Sequence, residues 1–97
     1  MSTPPRQRVD VWLFRTRLLK TRAAAARMVA EGGVRLVHGG QARRLEKPSA
    51  EVACGDALVF ALGGRVRTLE VMALPTRRGP AAEARLSYRD QEGDLPP

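Results

Sequence analysis

The stretch "KTRAAAARMVAEGG", Lys20 to Gly33, constrains the fold of this chain more than any other. Its four consecutive alanines have the highest helix propensity of any residue, and their small side chains let a second helix backbone approach closely. Thr21 stands where an N-cap is needed, although Ala24 replaces the Glu or Gln that would complete a capping box. Gly32 and Gly33 mark the stop. A partner helix lies just upstream. Val9, Trp12, Leu13 and Leu19, with Thr16 between them, fall on one stripe at helical spacing, and Asp10 suits the positive end of the helix dipole. That spacing predicts a helix over about 9–18, broken by "LLKT" before the alanine helix begins. A tight helix pair follows.

Beyond the pair the pattern changes to short strands. "VRLV" at 34–37 reads as a strand and "HGG" as a turn. Leu58–Leu62, after the turn "CGD", and Val66–Leu74, after "GG", read as further strands, the last ended by Pro75. "GQARRLEKPSAEV" reads as mostly loop, "MSTPPRQ" at 1–7 as a loose leader, and "AAEARLSY" at 81–88 as a short helix or strand before the acidic "DQEGDLPP". The sum is a single α+β unit. Aromatics are only 4 % of the 97 residues, so its core must come from Val, Leu and Ala. A chain of this length buries only ~60 to 65 % of its unfolded surface.

Charge is unevenly placed. Residues 1–47 carry eleven Lys or Arg against three acids, a balance of +8, whereas residues 48–97 carry six against seven, a balance of −1. A positive field concentrated on one part of a molecule is the footprint expected of a polyanion partner.

Catalytic chemistry finds little to work with. One histidine and one cysteine, with no second ligand at metal spacing, exclude the usual zinc sites, and Cys54 alone cannot form an internal disulfide. His38 sits in a Gly-rich turn without the surroundings of a nucleophile elbow. The Gly-Gly pairs at 32, 39 and 63 lack the following Gly-Lys-Ser/Thr of a phosphate loop. No catalytic residue, metal, cofactor or small-molecule substrate is expected. There is no apolar run of about 18 residues and no apolar signal core, so neither a membrane span nor a secreted form is expected, and a reducing cytoplasm fits.

What remains is basic. Arg8, Arg15, Arg17, Lys20, Arg22 and Arg27 fall within twenty residues, on or between the two helices. Arg17, Lys20 and Arg22 flank the junction, where free backbone N–H groups at the start of the second helix also attract phosphate. Arg43, Arg44 and Lys47 would extend this surface if their loop folds back beside the helices.

The ordered set Arg-x-Asp, Lys-Thr-Arg, Gly-x-Val, His-Gly, Lys-Pro-Ser and Gly-Asp, over about residues 8–60, resembles the RNA-binding domain named for ribosomal small-subunit protein four, the alpha-L motif. The later "RTLEVMALPTRRGPAAEARLSY" extends the likeness to the small ribosome-associated heat-shock proteins, in which that domain stands without an attached enzyme. The resemblance implies two N-terminal helices packed on a small, mainly antiparallel sheet, with the domain at 8–75 and an extension over 76–97. It implies structured RNA along the helices and the neighbouring strand loop, at Arg8, Arg17, Lys20, Thr21, Arg22, the turn of His38 and Gly39, and Lys47. For the heat-shock branch it implies ribosomal RNA of free large subunits, including those that still hold a nascent chain on tRNA. Two features depart from the family: "VHGG" has His38 where Asn is usual and is one residue longer, and, with the sequence closing on acidic residues, the long basic C-terminal extension of many heat-shock members is not expected.

Two other readings belong to different classes. A basic module could meet acidic proteins or lipid headgroups, but an alanine face buries little in a bilayer. DNA shares the charge of RNA. Few aromatics and many arginines suit duplex RNA, read through backbone and shape, better than stacked single strands. Trp12, on the apolar stripe, is expected in the core, and Phe14, off it, is the better candidate for stacking.

Overall fold

A computed structural model describes residues 4–91. In chain order its elements are β1 (Gln7–Arg8), α1 (Val9–Arg15), α2 (Arg22–Ala30), β2 (Val34–His38), β3 (Gln41–Arg44), β4 (Glu51–Val52), β5 (Ala57–Leu62), β6 (Arg65–Val71), α3 (Ala81–Ala84), a 3-10 turn (Arg85–Ser87) and β7 (Tyr88–Asp90). The expected leader lies partly outside the described residues, and its last residue, Gln7, is already in a strand. The acidic tail lies almost wholly outside them.

The stripe read from the sequence is the buried face of α1: Val9, Trp12 and Leu13 are fully enclosed. They meet Ala25 and Val29 of α2 and the inward residues Val34, Leu36, Leu58, Phe60, Leu69 and Val71 of the sheet, so both helices cover one sheet face. Trp12 belongs to this core as expected. Its indole N–H donates to the Ala73 carbonyl at 2.9 Å, and its ring meets Tyr88 edge-on, which satisfies the one polar atom of a large buried side chain.

Helix α1 ends at Arg15, earlier than the apolar spacing predicts. The Thr16 hydroxyl donates back to the Trp12 carbonyl at 2.7 Å, and Arg17 then takes φ +63°. Its N–H closes on the Phe14 carbonyl, and that of Leu19 on the Leu13 carbonyl. A left-handed residue here does the work that glycine commonly does at a helix end. Helix α2 begins as expected, with Thr21 Oγ1 accepting from the Ala24 N–H at 2.9 Å. It ends at Ala30, and Gly32, two residues on, takes φ +80°.

The five-stranded sheet runs in the order β3-β2-β5-β6-β7, with every neighbouring pair antiparallel. A separate pair joins β1 to β4. Two strands lie in the segment expected to be loop. Gly39 and Gly40 have φ +58° and +80°, the two positive values that a two-residue hairpin turn requires. The chain therefore returns along β2 as β3, and His38 is the last residue of a strand, paired with Gln41, rather than part of the turn. Strand β3 is an edge strand exposed along its whole length, so its sequence lacks the alternation that would have marked it.

Strand β6 stops at Val71, short of Pro75, because the N–H groups of Met72 and Ala73 turn to the Ser87 carbonyl. The segment 81–88 is both of the alternatives left open for it. A helical turn over 81–84 leads through Arg85–Ser87 into β7, which pairs with β6. Between them residues 75–79 lie across α1, where the Pro75 carbonyl accepts from Gln7 and Arg15.

A candidate nucleic-acid interface

The entry to α1 sets the geometry of the basic surface. The Val9 and Asp10 N–H groups donate to the Ala50 and Pro48 carbonyls, so the "KPS" loop caps the helix with main-chain acceptors. Strand β1 pairs with β4 just beyond that loop. Lys47 is thereby folded back beside the start of α1.

Asp10 is the organising acid. Its side chain is 4 % exposed and lies 3.0 Å from the Arg8 guanidinium and 3.9 Å from that of Arg22. Arg8 approaches it with two nitrogens, the forked geometry in which arginine matches carboxylate. Two cations that would otherwise repel are held at one end of the helix pair, while their side chains remain 46 % and 54 % exposed. Lys20 and Thr21 lie next to Arg22, both exposed. Arg8, Lys20, Thr21, Arg22 and Lys47 thus gather around the α1 entry and the α2 N-terminus.

The other expected residues stand apart. Arg15 and Arg17 turn toward the chain crossing α1: Arg15 donates to the Pro75 carbonyl at 2.9 Å, and Arg17 Nε to the Gly79 carbonyl at 2.5 Å. Arg27 is exposed in the last turn of α2. His38 Nδ1 lies 2.5 Å from Asp56 Oδ1, and the Asp56 Oδ2 accepts from the Ala53 N–H at 3.0 Å. Gly39 forms the hairpin tip.

Phe14, the expected stacking candidate, already has a cation against its ring. The Arg78 guanidinium covers its ring at 5.0 Å, and Arg78 Nε also donates to the Phe14 carbonyl. No local pattern pairs residues 64 positions apart, so the sequence held no signal for this contact. Arg35 was missed for a different reason. Inside "VRLV" it counted only as the polar half of a strand, yet it stands directly across from Arg44 on the exposed sheet face.

Among the described residues there is no cluster of His, Cys, Asp and Glu able to hold a metal ion, and no helix is long and apolar enough to cross a membrane. The site offers guanidinium and ammonium groups, a capped helix N-terminus and no nucleophile beside a base. Chemically, such an arrangement can accept oxyanions.

No protein-family model matches the chain. It is 40 % identical over 83 residues to heat shock protein 15 of Escherichia coli strain K12, an alignment that takes in 86 % of this chain and 59 % of that protein. It is 33 % identical over 88 residues to the heat shock protein 15 homolog of Haemophilus influenzae, covering 91 % of this chain and 63 % of that one. The chain therefore spans about three fifths of the length of these relatives. The fold superposes on a trimeric structure of Vibrio cholerae heat shock protein 15 with a TM-score of 0.78 at 31 % identity, covering 92 % of this chain and 85 % of the other.

Proposed function

The chain belongs to the heat shock protein 15 family, and on that premise we propose that it is a non-catalytic, cytoplasmic RNA-binding protein whose α1–α2 face grips structured RNA. The observation that carries this reading is the Asp10 carboxylate, which holds Arg8 and Arg22 side by side at the N-terminal end of α2. Arginines fixed in this way bind phosphate without first losing their rotamer freedom, and Lys20 and Lys47 flank them. Phosphate and 2′-hydroxyl contacts of this kind suit the shape of an RNA duplex.

The target that fits the resemblance in the sequence is ribosomal RNA of the large subunit, with a role in stress. Co-sedimentation of the purified protein with separated large subunits, small subunits, free ribosomal RNA and duplex DNA, across a salt series, tests it. Salt-sensitive preference for the large subunit is the expected result. Equal binding to every nucleic acid would reduce the protein to a generic polyanion binder, and absence of binding would overturn the reading.

A further inference from the structure

A cavity of about 190 Å³ opens between the β2–β3 hairpin and the β1–β4 pair. Leu36 and Asp56 are buried members of its lining, while Arg6, His38, Arg43 and Glu51 are exposed around it. Glu51 stands directly across from Arg8 in the β1–β4 ladder. The cavity is therefore a neighbour of the Arg8–Asp10–Arg22 cluster, and one RNA segment can reach both.

The two acids of the cavity differ in what they have left to offer. Both oxygens of Asp56 are engaged, one by His38 Nδ1 and the other by the Ala53 N–H. The Glu51 side chain has no ion pair or hydrogen bond among the described residues, although Arg6 and Arg43 line the same cavity. A free carboxylate on a basic face repels phosphate, so a phosphate backbone does not account for it. An ionised carboxylate can only accept hydrogen bonds, and the donors that RNA offers are the N–H groups of its bases and its 2′-hydroxyls.

Of the four bases, guanine alone sets two N–H donors side by side, at N1 and at the 2-amino group. Two carboxylate oxygens accept such a pair together. The O6 next to them is an acceptor, for which Arg6 and Arg43 supply N–H donors. No aromatic ring lines the cavity, but a guanidinium plane also stacks on an unpaired base. The space lies below the ~300–1,000 Å³ usual for larger ligands, which suits a single base.

We propose that this cavity receives one unpaired guanine of the RNA held on the α1–α2 face, with Glu51 accepting from its N1–H and 2-amino groups. The proposal rests on the RNA-binding reading of that face and adds to it a preference for sequence, which phosphate contacts do not provide. Glu51 determines the specificity, and Arg8 and Arg22 hold the backbone beside it.

The test is a titration of the full chain, by fluorescence anisotropy, against an RNA hairpin whose stem carries one bulged nucleotide: G, A, C, U or inosine. The guanine bulge should bind about tenfold more tightly than A, C or U, within the discrimination of one good bidentate pair. Inosine, which lacks the 2-amino group, should lose much of that advantage. E51Q, whose amide replaces one acceptor by a donor, should bind the four natural bulges alike. Its thermal midpoint should not move, because the side chain is exposed and unpartnered. Arg22→Ala should weaken binding to every hairpin and keep the preference for guanine. Equal binding of the four bulges by the wild type, or a guanine preference that survives in E51Q, would overturn the role of the cavity and leave the helical site standing. Free GMP that binds as tightly as the guanine-bulged hairpin would make a mononucleotide the source of the base and overturn the RNA proposal. If no hairpin binds at all, the helical reading fails and the proposal with it.

Discussion

Asp10 and Arg22 lie 3.9 Å apart across the α1–α2 junction, and the same carboxylate holds Arg8 at 3.0 Å. A nearly buried acid thus serves a cationic surface, fixing the guanidinium groups at the price of part of their charge. Asp10→Asn keeps the shape and removes the anchor. The arginines are about half exposed, so solvent weakens the pairing and the stability loss should be about 1 kcal/mol. The variant gains a unit of net positive charge. If anchoring matters, it should nevertheless bind duplex RNA more weakly, and tighter binding would mean that charge alone sets affinity.

Arg22→Ala separates binding from folding. Its ion pair is long and its side chain 54 % exposed, so the urea midpoint should hardly move. RNA affinity should fall, with the slope of log affinity against log salt shallower by about 0.7–0.9 for one lost phosphate contact. An unchanged slope would remove Arg22 from the interface.

The helix pair, the three main strands and the core position of Trp12 were legible because each is written in local periodicity or in glycine punctuation. Strand β3 was not, since an edge strand exposed on both faces has no alternation to read. The early stop of α1 was hidden for the opposite reason: Thr16 continues the apolar stripe, and only its bond to the Trp12 carbonyl and the turn at Arg17 reveal the end. Of the candidate site, the residues around Thr21 came from the sequence. The folding back of Lys47 beside α1, the capture of Phe14 by Arg78 and the exposure of Arg35 opposite Arg44 depend on contacts between distant segments. Asp10 was read only as a dipole partner, because the sequence does not place Arg22 beside it.

Thr21 provides the one side-chain cap of α2, accepting from the Ala24 N–H. Thr21→Ala should destabilise the protein by about 1 kcal/mol in urea unfolding, and Thr21→Ser should restore most of it. Should the serine variant be as unstable as the alanine one, the threonine methyl and not the cap is what matters.

Arg17 keeps a left-handed backbone at φ +63° while its Nε reaches the Gly79 carbonyl. Arg17→Ala loses the bond and keeps the unfavourable conformation, whereas Arg17→Gly loses the bond and releases it. The glycine variant should therefore be more stable than the alanine variant by about 1 kcal/mol, the usual cost of a left-handed L-residue. Equal stability of the two would show that the chain leaves this conformation once the arginine is gone.

Asp56 performs two tasks beside the turn end of the β2–β3 hairpin, since one oxygen meets His38 Nδ1 and the other accepts the Ala53 N–H. The two partners are not equally placed: the Asp56 side chain is 8 % exposed and that of His38 is 74 %. Asp56→Ala leaves the Ala53 N–H without its acceptor inside a turn and should lower stability by about 1–2 kcal/mol. His38→Ala removes a solvent-facing ring and should change it by less than about 0.5 kcal/mol. The double variant should then match Asp56→Ala closely, since the turn and not the ion pair carries the effect. If His38→Ala costs as much as Asp56→Ala, the imidazole is instead a structural partner of the hairpin.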